Sequence, residues 1–363
     1  MRISLYRTGA GFLAGVLLAV LTGCRAEPAM SGEAEVTPVL IMENLDHDPG
    51  HFIAAEGETL YFVPDRQTVD EEGNVTFSSD GVVAWNGSEW QELYHSPEGQ
   101  WIQTATAAGG TLWAYAYDYA GWSDPVLLRL SPGQEPVELP LDSTIPMDGG
   151  AAFSGGELVL WSRSGELEWF DQSGTLRRTA ADPEYQFMDL AVETGGERLA
   201  LFAENGEQAA FRVYDREGTL VQTIGFPADR RIYSYRITET GLWYIAAIDV
   251  VEDEDSLTAQ KRLVYVPFDR PEEEQLLKLT GDGLLYANTG NLLVRPVGSY
   301  QDGDRYFLLE PENFTLNPVD TGSYTGVHRR AQVVTVPDGF YIFADWLDEC
   351  YDVHRAALRL QNE

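Results

Sequence analysis

The sequence predicts an all-β fold, a seven-bladed β-propeller of four-stranded blades, and three observations support this fold class. An apolar strand, a glycine turn and a second apolar or aromatic strand follow one another seven times along the chain. Successive turns are spaced as four-stranded blades require. The last unit lacks one strand, and an unassigned strand at the front of the domain can supply it. No segment shows a long helical apolar period, so helix should be scarce.

The repeat is clearest in its glycine turns and in the strand after each turn. Each of these strands is rich in β-branched and aromatic residues between turn residues, which is typical of a hairpin. The turns begin at Gly57, Gly109, Gly155, Gly195, Gly241, Gly290 and Gly339. A four-stranded blade repeats every 40–45 residues or somewhat more, roughly the spacing found here. Rings of six or eight blades and a pair of stacked β-sandwiches remain as alternatives.

The seventh unit indicates how the ring closes. Its strands are expected at 331–335, 339–345 and 354–360, and the given sequence ends soon afterwards, at Glu363. An apolar stretch at 37–42 (TPVLIM) belongs to no unit. Placed as the outer strand of the seventh blade, it would complete that blade and remove two exposed sheet edges.

The N-terminal segment has the layout of a secretory signal: Arg2 and Arg7, an apolar run over 9–21, and then Leu21-Thr22-Gly23-Cys24. The run is too short to span a bilayer as a helix. Its last four residues resemble the bacterial lipobox, whose cysteine receives a diacylglyceryl group and becomes the new N-terminus. The alternative is an ordinary cleaved signal with an incidental cysteine.

The lipobox resemblance implies a domain organisation and a location. Residues 1–23 would be removed, 24–36 would be the lipidated Cys24 and a flexible tether, and 37–363 would be the propeller. Two acyl chains hold a protein stably at a membrane surface. We therefore expect an extracytoplasmic lipoprotein, anchored to the membrane at the cell envelope.

Two segments resemble a known propeller family. Residues 211–227 (FRVYDREGTLVQTIGFP) resemble an NHL-type repeat, and 168–178 (EWFDQSGTLRR) is a weaker match. The other five units depart from that pattern. The resemblance therefore supports a propeller architecture and implies no particular function.

The formal net charge of −34 restricts the partners. Such a field repels nucleic acid and attracts cationic partners or metal ions. The charge is concentrated in loops between second and third strands, which in a propeller open on the same face as the blade-to-blade loops. The candidate ligand-binding rim comprises Asp118, Tyr119, Trp122, Asp124, Asp253, Asp255, Tyr300, Asp302, Asp304, Trp346 and Asp348.

Acidic side chains beside flat rings suit a carbohydrate, a basic protein segment or calcium, which prefers hard oxygen ligands. The alternative is that these loops are simply solvated. The blade-to-blade loops predict a candidate basic centre of Arg230, Arg231, His328, Arg329 and Arg330. This centre could hold an anion or reflect internal charge pairing.

The sequence contains no Gly-x-Ser-x-Gly elbow, phosphate-binding loop or Cys-x-x-Cys pair. We therefore assign no catalytic residue, no metal centre and no cofactor beyond possible calcium binding. The favoured function is non-enzymatic binding of a ligand or protein partner. The alternative is a propeller enzyme on carbohydrate or cell-wall material, with rim carboxylates as acid and base.

Overall fold

The computed structural model describes residues 38–361, with gaps at 44, 46–47, 70–74, 207, 228–229, 254–255, 280–281, 290, 298–305, 311–313, 320–326 and 348–352. The predicted signal, lipobox and tether lie outside the described residues. Regular structure within the described ranges is β-strand, and none of these segments is an apolar helix of membrane-spanning length.

Seven four-stranded antiparallel sheets confirm the predicted propeller. After β1 (Val39–Glu43), blade 1 contains β2 (His51–Glu56), β3 (Thr59–Val63), an inserted hairpin of β4 (Asp65–Val69) and β5 (Val75–Ser79), then β6 (Gly81–Trp85) and β7 (Trp90–His95). Blade 2 contains β8 (Gln100–Ala108), β9 (Thr111–Asp118), β10 (Ser123–Leu130) and β11 (Val137–Pro140). Blade 3 contains β12 (Gly150–Ser154), β13 (Glu157–Trp161), β14 (Glu166–Phe170) and β15 (Leu176–Ala181).

The remaining blades follow the same order. Blade 4 contains β16 (Gln186–Val192), β17 (Arg198–Glu204), β18 (Ala209–Asp215) and β19 (Leu220–Gly225). Blade 5 contains β20 (Arg231–Ile237), β21 (Gly241–Asp253), β22 (Ser256–Pro267) and β23 (Gln275–Lys278). Blade 6 contains β24 (Asp282–Ala287), β25 (Leu292–Val297), β26 (Phe307–Glu310) and β27 (Thr315–Pro318), and blade 7 contains β28 (Val327–Val336), β29 (Gly339–Leu347) and β30 (Val353–Gln361).

The N-terminal strand closes the ring as predicted. Strand β1 pairs antiparallel with β30, with Val39 opposite Arg359 and Leu40 opposite Leu358, and so forms the outer strand of blade 7. Blade 7 is also joined to blade 1 near the axis, where Phe52 N donates to Gln332 Oε1 at 2.9 Å. Closure therefore covers the edge of β30 that would otherwise be unpaired.

The hydrophobic core lies between the blades. The described residues form seven clusters, one at each interface between neighbouring blades. Strand β9 shows why: its alternation places Ala114 and Ala116 against blade 1, and Tyr115 and Tyr117 against blade 3. Because successive side chains of a strand point to opposite faces, β9 presents small residues to blade 1 and aromatic residues to blade 3.

Two hairpins extend beyond their predicted ends. Pairing of β21 with β22 continues to Asp253 opposite Ser256, so Asp253 ends a strand and does not lie in a loop. Strand β28 begins at Val327, which corrects the prediction that His328, Arg329 and Arg330 lie in a blade-to-blade loop; Trp346 likewise belongs to β29. The apolar residues end before the strands do, because backbone hydrogen bonding continues along segments whose side chains are polar.

One face carries both the second-to-third strand loops and the blade-to-blade loops, and we call it the upper face. Backbone hydrogen bonds join the two sets of loops: Tyr119 N donates to Gly99 O at 3.0 Å, and Ser96 N donates to Asp80 O at 3.1 Å. The glycine turns lie on the opposite, lower face. There the carboxylate of Glu56 in blade 1 accepts hydrogen bonds from Gly109 N and Gly110 N of blade 2, at 2.7 and 2.9 Å.

Candidate functional site

The structure brings together four of the predicted rim residues in the β9–β10 hairpin of blade 2: Tyr119 and Trp122 lie in the turn, Asp118 ends β9, and Asp124 lies in β10 and not in the predicted loop. For Asp253 and Trp346 only the backbone is described. The other predicted rim residues lie outside the described residues, namely Asp255, Tyr300, Asp302, Asp304 and Asp348. The blade 2 hairpin is therefore the part of the predicted rim whose side chains the structure describes.

The β9–β10 turn is fixed by Asp118. Its Oδ1 accepts hydrogen bonds from Ala120 N at 2.8 Å and Gly121 N at 3.3 Å. At the tip of the turn these two backbone groups are therefore bonded to a side chain and not to the opposite strand. Trp122 and Asp124 have φ angles of +49° and +53°, in the left-handed region that non-glycine residues seldom adopt. Strained backbone of this kind is often found at functional sites.

The turn presents two aromatic rings to solvent. Tyr119 is 44% exposed and Trp122 is 48% exposed. Their ring centroids are 5.9 Å apart, and the same distance separates Tyr119 from Trp101 and Trp122 from Tyr117. The rings of Trp101, Tyr119, Trp122 and the buried Tyr117 form one continuous row, and we call this row the aromatic surface after its two exposed members.

A cleft between blades 2 and 3, the aromatic cleft, opens beside Trp122. The cleft has about 270 Å³ of space free of protein atoms, open solvent included, but a water-sized group can reach only about 10 Å³ of it, room for about one such group. Burial raises the pKa of the Tyr115 and Tyr117 hydroxyls above the ordinary value, so both stay protonated at neutral pH. The Tyr115 hydroxyl donates to Met147 Sδ at 3.6 Å.

Two hydrogen-bond donors, Gln103 and Trp161, lie in the wall of the aromatic cleft. Gln103 is the extra residue of a β-bulge in β8. Ile102 pairs with Ala116 and Thr104 pairs with the neighbouring Tyr115, so no residue of β9 lies opposite Gln103. A bulge re-aims the extra side chain. A Cβ built on Gly150 would lie 3.3 Å from Gln103 Nε2 and 3.1 Å from Trp161 Nε1, so both nitrogens border the space above this glycine.

Glycine is required where the Trp161 indole crosses the start of β12. A Cβ on Gly149 would lie 2.1 Å from Trp161 O and 2.6 Å from its Cε3 atom. Sequence reasoning missed Gln103 and Trp161. The only available signal was the Gly149-Gly150 pair at the start of a strand, which indicates close approach by another group.

The candidate basic centre is only partly described. Arg230 Nη2 donates to Glu274 Oε2 at 2.9 Å and Arg230 Nη1 donates to the Tyr244 hydroxyl at 2.6 Å, while that hydroxyl donates to Glu274 Oε1 at 2.7 Å. Burial alone would raise the pKa of Glu274, but the hydrogen bonds from Arg230 and Tyr244 outweigh it and lower that pKa. Arg230 is thus held by internal charge pairing.

The other residues of that centre are less informative. Arg231 is exposed at the start of β20, and the side chains of His328, Arg329 and Arg330 are outside the described set. Arg230 and Arg231 line a second upper-face cleft of about 480 Å³, between blades 4 and 5. Phe202 and Phe226 stack in its wall, with centroids 5.8 Å apart at 18°.

Within the described ranges, no group of three or more His, Cys, Asp or Glu side chains could hold a metal ion. The calcium prediction rests largely on rim carboxylates outside those ranges, so it stays a prediction.

No family model and no curated protein matches the sequence. Solved structures with the same fold include a chain of a mitotic checkpoint complex, with 10% identity and a TM-score of 0.51 over 93% of this chain and 98% of that one. A puromycin-hydrolyzing peptidase of Mycobacterium tuberculosis has 15% identity and a TM-score of 0.53 over 93% of this chain. The match covers 54% of the peptidase chain. At these identities the likeness shows the propeller fold alone.

Proposed function

We propose that this protein is a lipid-anchored extracytoplasmic lipoprotein whose propeller binds a carbohydrate at the cell envelope. The observation that carries the binding proposal is the pair of exposed rings, Tyr119 and Trp122, on a turn that is hydrogen-bonded, strained and adjacent to a cleft. The lipobox at Cys24 supports the anchoring proposal.

The chemistry of the aromatic surface favours a sugar over other small ligands. A pyranose ring has an apolar face, which packs on an aromatic ring, and a rim of hydroxyls, which need polar partners. Trp122 supplies an exposed ring, and the exposed Asp124 carboxylate is an acceptor for hydroxyl protons. The net charge of −34 disfavours an anionic ligand, so we expect a neutral or cationic glycan.

The strained turn also suggests a binding role. Two exposed aromatic side chains gain little stability from burial, and a left-handed Trp122 costs on the order of 1 kcal/mol. The turn keeps this conformation through the hydrogen bonds of Asp118. Such an arrangement holds the rings in place before a ligand arrives, which lowers the entropy cost of binding.

A glycan-binding screen tests the proposal. The mature chain with Cys24→Ser should bind at least one neutral or cationic oligosaccharide in titration calorimetry, and Trp122→Ala should weaken that binding about ten-fold, or ~1.4 kcal/mol. Phe77→Ala is the matched control, since Phe77 is an aromatic residue 55% exposed on β5. A full panel with no Trp122-dependent binding would reject the carbohydrate proposal.

The same samples address the enzyme alternative. Chromatography of the incubated oligosaccharides would detect cleavage products. If products form with the folded chain and not with the denatured chain, catalysis would replace binding as the proposed function.

Anchoring has its own test. Wild-type protein expressed in a bacterial host should fractionate with membranes and yield an N-terminal peptide with lipid on Cys24. Cys24→Ser should move the protein to the soluble fraction or leave it unprocessed. Wild-type protein found without lipid on Cys24 would reject the anchor.

A further inference from the structure

We infer that the inserted hairpin of blade 1, formed by β4 and β5, binds a partner polypeptide. The partner adds a strand to the edge of β5 through a segment in which apolar and basic residues alternate. This inference goes beyond carbohydrate binding and does not depend on it.

The outer edges of the blades are protected against an added strand. A bulge, a proline or a lysine in an edge strand prevents pairing with another chain. Bulges interrupt the outer strands β1, β7, β15 and β19. The outer strands β11 and β27 end in Pro140 and Pro318, and β23 ends in Lys278. Each outer strand in the ring therefore carries one of the three protections.

The inserted hairpin carries none of them. Among the described strands, β4 and β5 pair only with each other, and their register runs without a bulge along both strands. Neither strand contains proline or lysine. Their two charged residues lie at the base of the hairpin, where Asp65 is 3.2 Å from His51 and Arg66 donates to Asp80 Oδ1 at 2.8 Å. The edge beyond this base is uncharged and open to pairing.

The exposed apolar side chains of the hairpin lie on one face of β5. Val75 is 47% exposed, and Phe77, at 55%, is the most exposed large apolar side chain in the described part of the chain. The two residues point to the same face because they are two positions apart in a strand. A strand added beside β5 would cover both, so we assign the added strand to this edge and not to β4.

Contacts at the base hold the hairpin in place before a partner arrives. A two-stranded hairpin alone is only marginally stable in water. Here Asp80 N donates to Pro64 O at 2.8 Å across the base, and Ile102 N of blade 2 donates to Ser79 Oγ at 2.9 Å. The edge is therefore presented in strand conformation, which lowers the entropy cost of adding a further strand.

The two faces of β5 and the net charge define the partner. Beside Val75 and Phe77 the added strand needs apolar side chains, which would be buried against them. Its other face lies beside the exposed Thr76 and is open to water, so it takes polar side chains. The net charge of −34 attracts basic residues at those positions, and it repels a second copy of the same chain.

Three peptides with the length of a strand, about six residues, test the inference. The first alternates lysine and valine, the second has the same residues in two separate blocks, and the third is the first with N-methylated valines, which donate no backbone hydrogen bond. Titrated into the mature chain with Cys24→Ser, the first should bind about ten-fold more tightly than either of the others, and salt should weaken it. Equal binding of the N-methylated peptide, or no binding of any peptide, would overturn strand addition.

The charge of the partner has a separate test. A peptide that alternates glutamate and valine should bind about ten-fold more weakly than the lysine peptide. Equal affinity of the two would overturn the assignment of a basic partner.

A substitution locates the surface. Phe77→Thr removes the exposed ring and keeps a residue that favours strands, and it should weaken the lysine peptide about five-fold without changing the thermal unfolding temperature. Leu276→Ala is the matched control, since Leu276 is an apolar residue 43% exposed on the protected strand β23. Unchanged affinity in a folded Phe77→Thr protein would overturn the assignment to β5.

Two measurements on the unsubstituted edge complete the test. The lysine peptide should slow amide hydrogen exchange in β5, and bound peptide without such slowing would overturn the inference even if Phe77→Thr loosens the hairpin. Sedimentation equilibrium should show a monomer in the absence of peptide. A dimer that Phe77→Thr dissociates would overturn the choice of partner in favour of a second copy.

Discussion

The upper face has two clefts between neighbouring blades, and they differ in what their polar groups do. The cleft between blades 4 and 5 is large, about 480 Å³, but the guanidinium of Arg230 in its wall is already bonded to Glu274 and Tyr244. In the narrow aromatic cleft between blades 2 and 3, the Gln103 amide is exposed to solvent and is not held by an internal pair among the described residues. A polar group that is not held internally, beside the exposed rings of Tyr119 and Trp122, marks the better candidate binding site.

The difference begins in the second strand of each blade. Leu112-Trp113 of blade 2 corresponds to Leu242-Trp243 of blade 5, but the next residue is Ala114 in one and Tyr244 in the other. Tyr244 faces blade 4 and completes the bonding of Arg230. Ala114 faces blade 1. The aromatic rings of blade 2 instead point toward blade 3, where Tyr115 and Tyr117 line the aromatic cleft.

The largest effect should come from breaking the internal pair of the wider cleft. Glu274→Ala leaves the Arg230 guanidinium, largely shielded from solvent, without its carboxylate, and it should lower the free energy of unfolding by about 2–3 kcal/mol. Chemical denaturation measures this loss, and glycan affinity should not change. A stable Glu274→Ala protein with impaired glycan binding would reverse the comparison between the two clefts.

The ion pair between Arg230 and Glu274 also predicts that the free energy of unfolding depends on pH. Because the folded-state pKa of Glu274 is lowered, its contribution is fully present above the unfolded-state pKa, about 4.3, and is lost as pH falls through the folded-state value. The stability difference between wild type and Glu274→Gln should therefore shrink below about pH 4. Urea denaturation at several pH values measures it. A difference that grows on acidification would contradict the assigned direction.

A smaller effect on stability should come from the strained backbone of Trp122, beside the aromatic cleft. Trp122→Gly relieves the left-handed backbone strain, and it should raise the free energy of unfolding by about 0.5–1 kcal/mol relative to Trp122→Ala. Both variants should bind glycan about ten-fold more weakly than wild type. Thermal unfolding and calorimetry together separate strain from recognition. Equal stability of the two variants would show that the strain is not stored at this residue.

The smallest effect concerns the support of the turn. Asp118→Ala removes the acceptor for Ala120 N and Gly121 N, and it should weaken glycan binding about three- to five-fold through a looser turn, ~1 kcal/mol or less. Asp118→Asn keeps a side-chain acceptor and should fall between this variant and wild type. An Asp118→Asn protein as weak as Asp118→Ala would indicate that the charge itself contacts the ligand.

The repeat, the blade count and the closing strand could be predicted because each rests on local periodicity and on turn glycines such as Gly57 and Gly339. The β9–β10 turn could also be predicted, since Asp118 to Asp124 are polar and aromatic residues between two apolar strands. Gln103 and Trp161 could not. Their placement depends on a β-bulge after Ile102, of a kind that recurs in the first strands of four other blades, and on the missing side chain of Gly149. Both act through pairing between strands, which the apolar alternation of a single strand does not show.

The closing strand also sets how the domain would stand on a surface. Strand β1 leads through the loop to β2 on the upper face, so its Val39 end lies at the lower rim of blade 7. With Cys24 held by lipid as proposed, fourteen residues connect the bilayer to that rim, a reach of roughly 50 Å. The tether would then leave the propeller on the side of the glycine turns, and Tyr119 and Trp122 lie on the opposite face of the ring, where the tether does not cover them.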